Sequence, residues 1–272
     1  MGTSSTTRPR PKKSLGQNFL IDDNIARNIA RDMHLSTEDV VLEIGAGRGA
    51  LTKKLVGRVR HLIIVEIDHR LIDKLKERFL STYVTILHQD FLDTELADFQ
   101  RRCGSKLRIV GNIPYHLTSP IMFKVFEEHS SVRDLTIMVQ REVAQRVVAK
   151  PGTKDYGILS VFAQYYGVPT ILFHVSPNCF YPKPTVTSTV MQINLHKTLP
   201  YQVNEELLRD VVRTAFGKRR KTLRNSLKYL PANAKFVDSL TNNKVSMLDK
   251  RPEQLTVDQF VHLTEEIGKI SS

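Results

Sequence analysis

The residues of this chain best equipped for chemistry are five in its middle, Gly111-Asn112-Ile113-Pro114-Tyr115. They follow Leu107-Arg108-Ile109-Val110, a short apolar run that reads as a buried parallel strand. Such a strand brings an amide, a rigid turn and a flat ring to its carboxyl end, the edge at which open α/β sheets bind ligands. An amide and an aromatic face together grip a nucleobase by its edge and its plane. The expectation is a base-modifying enzyme, which needs a second reactant. Farther along, Phe180 in Asn178-Cys179-Phe180-Tyr181-Pro182 is a candidate for the other face of the base, with plain core packing as its alternative reading. Pro182 and Pro184 would stiffen its loop.

Three earlier strand ends offer a place for the second reactant. The first leads into Glu43-Ile44-Gly45-Ala46-Gly47-Arg48-Gly49-Ala50, where glycines let the backbone turn sharply and approach a ligand closely. Gly45, Gly47 and Ala50 also satisfy the dinucleotide pattern, so an NAD enzyme and a merely structural turn both compete. The second strand ends at Glu66, whose carboxylate can accept hydrogen bonds from both hydroxyls of a ribose. The third ends at Asp90, able to accept from an adenine amino group, with Phe91 placed to lie against the ring. NAD would use the loop and Glu66 but would leave Asn112 to Tyr115 unexplained.

A scaffold must hold these ends together. Val40–Ile44, Leu62–Val65, Val84–Leu87, Leu107–Val110 and Leu135–Val139 read as strands. Helices are predicted from Ala50 to Val56, Arg70 to Phe79, Thr94 to Arg101 and Thr118 to Glu127. This alternation predicts an α/β fold, a parallel sheet with helices on both faces. Ahead of it, Asp22 or Asp23 can cap a helix bearing Ile25, Ile29 and Met33. Beyond Leu195 no strand is convincing, and residues 199–272 are expected to form a small all-helical domain after a main domain of residues 15–198. There Arg209, Arg213, Lys218, Arg219, Arg220, Lys221, Arg224 and Lys228 stand against Asp210 alone, a face suited to RNA phosphates.

Composition narrows the partners. Of 272 residues, 41% are hydrophobic and 25% charged, ordinary for a globular protein, and no apolar run approaches the roughly 18 residues of a membrane span. Lys and Arg number 40 against 28 Asp and Glu, a net +12 that points to a polyanion, nucleic acid ahead of membrane. Cys103 and Cys179 show neither metal spacing nor a disulfide framework, and the histidines are dispersed. No metal site and a cytoplasmic location are therefore expected. Residues 1–14 read as a basic flexible tail in which Arg8, Arg10, Lys12 and Lys13 can reach phosphates; the tail lacks the apolar stretch of a secretory signal.

The run Glu43-x-Gly45-x-Gly47-x-Gly49, with Glu66, Asp90 and Asn112-Ile-Pro-Tyr115 each closing a successive strand, resembles the S-adenosylmethionine-dependent N6-adenine methyltransferases. Further blocks resemble one family among them, the bacterial small-subunit rRNA adenine N6,N6-dimethyltransferases. They are Leu15-Gly-Gln-Asn-Phe-Leu20, Gln140-Arg-Glu-Val143, Pro151-Gly-Thr-Lys-Asp-Tyr-Gly157, Phe180-Tyr-Pro-Lys-Pro184 and Phe216-Gly-Lys-Arg-Arg-Lys-Thr-Leu-Arg-Asn225. Each block is short; their shared order along the chain carries the resemblance.

The resemblance implies a Rossmann-like class I methyltransferase sheet and S-adenosylmethionine as cofactor. Asn18 and Leu20 would border the methionine end and the sulfonium, and Gly45 would face the cofactor through its backbone. Glu66 would hold the ribose, Asp90 the cofactor adenine, and Asn112 would sit between cofactor and target base. The family methylates two adjacent adenosines in the 3'-terminal stem-loop of 16S rRNA, twice each. The expected partner is 16S rRNA in the immature small subunit, met by a monomer with no metal and no membrane. A DNA adenine methyltransferase is disfavoured because no large target-recognition insertion is present. A large-subunit methyltransferase of the macrolide-resistance type and an assembly checkpoint with methylation secondary remain the alternatives.

Overall fold

The computed structural model describes residues 10–230 and 246–271. The chain forms two compact units. One comprises the chain up to Ala144 with Thr170–Leu195; the other joins Gln145–Pro169 to the chain from His196 onward. Part of the expected tail, residues 1–9, and residues 231–245 of the expected helical domain lie outside the described residues.

In the first unit β1 (Phe19–Leu20) precedes α1 (Asp23–Asp32), and then strands and helices alternate: β2 (Val40–Ile44), α2 (Thr52–Leu55), β3 (His61–Glu66), α3 (His69–Phe79), β4 (Val84–His88), α4 (Leu96–Cys103), β5 (Leu107–Asn112), α5 (Thr118–Glu127) and β6 (Val132–Gln140). After α6 (Arg141–Val147) and α7 (Ile158–Tyr166) come β7 (Gly167–Val175), β8 (Phe180–Tyr181) and β9 (Ser188–Leu195). The caps are those that local chemistry dictates: Asp22 accepts from the Asn24 and Ile25 amides to start α1, and Asp68 accepts from Arg70 N to start α3.

The five expected strands pair in parallel in the order β4-β3-β2-β5-β6. The sheet then departs from the all-parallel expectation: β9 runs antiparallel to β6, and β7 lies outside β9 as an edge. The sequence conceals β7 because Pro169 and a largely half-exposed pattern, both tolerated at an edge, remove the apolar run that marks a buried strand. Val41, Leu62, Ile64, Val84 and Ile86 share one face with Ala26 and Ile29 of α1, Leu55 of α2 and Leu71 and Leu75 of α3. Val40, Ile63 and Leu87 share the opposite face with Phe99 of α4. Period-two alternation thus supplies both helix layers. Ile44 stands level with Val65 and with Gly111, and Glu66 with His88, so four strands end along one edge.

At the other edge Arg108, 3% exposed, is held by two carboxylates. Its Nε donates to Asp134 Oδ2 at 2.8 Å and its Nη1 to Asp39 Oδ2 at 2.7 Å. The same guanidinium donates to the carbonyls of Met33 and His34, where the chain leaves α1. Burial pushes the Asp134 carboxyl up, and Arg108 opposes that shift.

In the second unit α8 (Glu205–Gly217), capped by Asn204, leads to the short α9 (Leu223–Ser226), and a last helix spans Val257–Ser271. Phe216 sits 6.1 Å from Tyr156 and 5.8 Å from Phe260, ring centre to ring centre, in a core with Leu208, Val211, Val212 and Leu263. Helix α7 belongs here, where Tyr166 Oη donates to Glu205 Oε2 at 2.6 Å. Val161, Phe162, Ala163, Tyr165 and Tyr166 bury nearly its whole circumference, so no single apolar stripe names its partner. No described helix is long and apolar enough to cross a membrane.

Candidate functional site

The aligned strand ends open onto one cleft. Asn18, Leu20, Gly45, Glu66, Asp90, Asn112, Ile113, Pro114 and Tyr115 all line it, with Phe19, Glu43, Arg48 and Phe91 beside them. Counting the solvent at its mouth, the cleft encloses about 1100 Å³.

Between β2 and α2 the glycine loop does two separate jobs. Gly45 has φ +63°, and a side chain there would meet no atom within 4 Å, so its backbone faces open space in the cleft. Gly47, at φ +57°, lies so close to Phe19 that an added Cβ would stand 2.9 Å from the ring. Its amide donates to Glu66 Oε2 at 2.8 Å, and the Asp68 amide donates to Glu66 Oε1 at 2.9 Å. The Ile67 amide adds to these two, and a carboxylate with about four acceptor sites still has capacity beyond them. Glu66 is 3% exposed, and burial raises its pKa against those amides. A buried carboxylate with spare acceptor capacity calls for donors, and the vicinal hydroxyls of a ribose supply two.

Asp90 begins the turn Phe91–Asp93, its Oδ1 accepting from Leu92 N at 2.9 Å while Oδ2 has no partner among the described residues. Phe91, 4% exposed, forms the apolar floor beside it. A ribose acceptor, an acceptor for an exocyclic amine and an open glycine backbone make a donor and acceptor set that fits S-adenosylmethionine.

Asn112 ends β5, and its Nδ2 donates to the Asn18 carbonyl at 2.8 Å. A carbonyl only accepts, so this bond decides which way the amide faces. Oδ1 is left as an acceptor with no partner among the described residues. Pro114, at φ −58° and ψ 135°, is extended, and its carbonyl accepts from Leu117 N at 2.9 Å. Tyr115 is half-buried, and its hydroxyl shares a 2.7 Å hydrogen bond with Ser188 Oγ of β9. Burial raises the phenol's pKa, so the ring is neutral at physiological pH.

Phe180 is placed differently from these. It is 4% exposed and shares a core with Phe19, Leu20 and Ile29, three residues that line the cleft, without being one of the lining residues itself. The reason is the ribbon that β1 and β8 form, with Leu20 paired to Phe180 and Phe19 to Tyr181. Neighbouring residues of a strand face opposite ways, so Phe180 points inward and Tyr181, 54% exposed, points out.

Glu43 is a cleft residue to which the sequence reading assigned no role, although it opens the glycine run. It is 2% exposed, accepts from Thr52 Oγ1 at 2.7 Å, and burial pushes its pKa up to about 8, with Glu66 adding to the rise. An unfolded glutamate titrates near 4.5, so the fold binds this proton the more tightly. The resulting stability is fully present below about pH 4.5 and is lost as pH rises toward about 8. Glu43→Gln keeps an acceptor for Thr52 without a titrating group. It is expected to lose less stability than wild type between about pH 5 and about pH 8, by up to a few kcal/mol, in urea denaturation. Equal losses in the two proteins would refute the protonated Glu43.

The family model for ribosomal RNA adenine dimethylase matches residues 9–269. The ribosomal RNA small subunit methyltransferase A of Lachnoclostridium phytofermentans is 39% identical over 266 residues, covering 95% of this chain and 92% of that protein. The same-named protein of Aromatoleum aromaticum is 42% identical, covering 95% of each. Among solved structures, a dimethyladenosine transferase from Plasmodium falciparum superposes with a TM-score of 0.79 at 25% identity over 92% of this chain and 98% of that one. The 23S rRNA methyltransferase ErmE gives a TM-score of 0.67 at 26% identity, over 92% and 100%.

Proposed function

Since the chain belongs to the ribosomal RNA adenine dimethylase family, we propose that it transfers methyl groups from S-adenosylmethionine to N6 of two adjacent adenosines in the 3'-terminal stem-loop of 16S rRNA, giving N6,N6-dimethyladenosine. The observation that carries this reading is Asn112. Its Nδ2 is committed to the Asn18 carbonyl, which leaves an oriented oxygen acceptor in the cleft that Glu66 and Gly45 line.

When bound, the cofactor supplies a methyl group activated on a sulfonium. The chain's own residues make the adenine amine able to take it. That nitrogen is a poor nucleophile because its lone pair is delocalised into the ring. Two acceptors, Asn112 Oδ1 and the Ile113 carbonyl, engage its two N–H bonds, and the nitrogen pyramidalises with its lone pair toward the methyl. Pro114 restricts the turn that holds that carbonyl. As positive charge develops on N6 both N–H bonds become stronger donors, so the acceptors favour the transition state over the ground state. The alkylated nitrogen is acidic enough to lose its proton without a strong base, and an amide suffices where a carboxylate is not needed. Tyr115 supports one face of the adenine, and Phe180 is the candidate for the other. Asn18 and Leu20 border the methionine end of the cofactor, Gly45 faces it through its backbone, Glu66 holds its ribose and Asp90 its adenine.

In the same reading the substrate is 16S rRNA in the immature small subunit, met in the cytoplasm by a monomer that uses no metal. Residues 199–272 grip RNA through the basic run that follows α8. Exposed Tyr229, with Lys218 Nζ 5.1 Å and Lys221 Nζ 5.8 Å from its ring centre, supports that assignment. Labelled S-adenosylmethionine incubated with unmethylated small subunits, 23S rRNA or DNA, followed by nucleoside analysis, tests the whole. Dimethyladenosine is expected in the small-subunit sample. Its absence there, or its appearance in 23S rRNA instead, refutes the proposal.

A further inference from the structure

Arg48, which lines the cleft, reaches two aromatic rings that stand opposite each other on one face of the β1–β8 ribbon. Its guanidinium carbon is 4.6 Å from the centre of the Phe19 ring and 5.7 Å from that of Tyr181. Phe19 is buried and wedged against Gly47, so one side of this arrangement is rigid. Tyr181 is its outward side, more than half exposed although β8 is paired to β1 and the Ile21 amide donates to the Cys179 carbonyl just beyond the pair. A large ring held at the surface by backbone pairing and a cation, next to a cleft, offers a stacking face at low ordering cost. A guanidinium carries five N–H donors in one plane, so contact with aromatic faces does not consume them, and its planar fork matches a phosphate.

We propose that Arg48 and Tyr181 form a subsite for the nucleotide next to the target adenosine, with Tyr181 stacking on the flanking base and Arg48 donating to the phosphate between the two. The proposal deepens the rRNA methyltransferase reading and rests on it. A nucleotide whose base is drawn into the cleft leaves its neighbour unstacked on one side, and base–aromatic stacking replaces part of that loss. The neighbour must lie at the mouth, because one phosphodiester joins it to the residue inside. Arg48 lines the cleft and also touches the exposed ring, so it bridges the two places.

The test uses the full chain with unmethylated small subunits and compares KM, kcat and cofactor affinity across variants. Tyr181→Ala is expected to raise KM for the subunit about tenfold, with kcat and S-adenosylmethionine affinity close to wild type. Tyr181→Phe, which keeps the ring, is expected to restore KM, whereas a hydroxyl serving only the fold would not be rescued so. Arg48→Gln is expected to lower the slope of log KM against log salt by about one unit, the loss of one phosphate contact. A Tyr181→Ala enzyme with wild-type KM, or an Arg48→Gln enzyme with an unchanged salt slope, overturns the subsite while leaving the methyltransferase reading intact. A wild-type chain that methylates no small subunits overturns that reading and the subsite together.

Discussion

Asn112→Ala is expected to lower turnover about 10²–10³-fold, the scale of losing one acceptor or donor aimed at developing charge. Cofactor affinity should stay within a few-fold of wild type, because Glu66, Asp90 and the Gly45 backbone remain in place. The expectation follows from the amide's division of labour. Nδ2 is spent on the Asn18 carbonyl at 2.8 Å, so the substitution removes both the acceptor for the adenine amine and the tie that sets its direction. Asn112→Asp separates the two: it keeps oxygen acceptors but sets a carboxylate against the Asn18 carbonyl, where no donor remains. An intermediate turnover is expected for it. Single-turnover methylation of unmethylated small subunits with labelled cofactor, beside equilibrium binding of the cofactor alone, makes the measurement. Unchanged turnover in Asn112→Ala would refute the role assigned here.

The second large effect is on stability. Arg108→Ala is expected to destabilise the protein by about 3–5 kcal/mol, the usual cost of stranding a buried charge. Asp39 and Asp134, 7% and 2% exposed, would face one another's charge without the guanidinium, and the carbonyls of Met33 and His34 would lose a donor. Arg133 reaches Asp39 Oδ1 at 3.1 Å, but it is largely exposed and replaces only part of the loss. The sign with pH is definite. Stranded buried carboxylates take up protons more readily than in the unfolded chain, so the deficit of the variant should shrink as pH falls through the acid range. Urea denaturation of both proteins at neutral and mildly acid pH reads it. A deficit under 1 kcal/mol, or one that grows on acidification, would refute the account.

Local chemistry made much of the site legible. Apolar runs of four or five residues followed closely by Glu66, Asp90 or Asn112 and by turn residues read as strands that stop at a polar end. Parallel pairing then brings such ends to one edge without any knowledge of tertiary contacts. The caps of α1 and α3 follow from Asp22 and Asp68 in the same way. Less legible were β7, where an edge strand tolerates a proline and half-exposure, and α7, apolar on nearly every side. In both the periodic signal is weak because burial is either partial or complete.

What the sequence by itself determined is therefore the set of strand ends and the chemistry they carry: an amide, two carboxylates and a glycine loop brought to one edge. Tertiary structure alone decided which way Phe180 and Tyr181 face, which atom of Asn112 is left for a base, and which carboxylates hold Arg108. The physical reason is separation along the chain. A strand's period is written in adjacent residues, whereas Asn18 and Asn112, Arg108 and Asp39, and Arg48 and Tyr181 meet across long loops. Such pairings are set by how whole layers pack, and no local pattern records them.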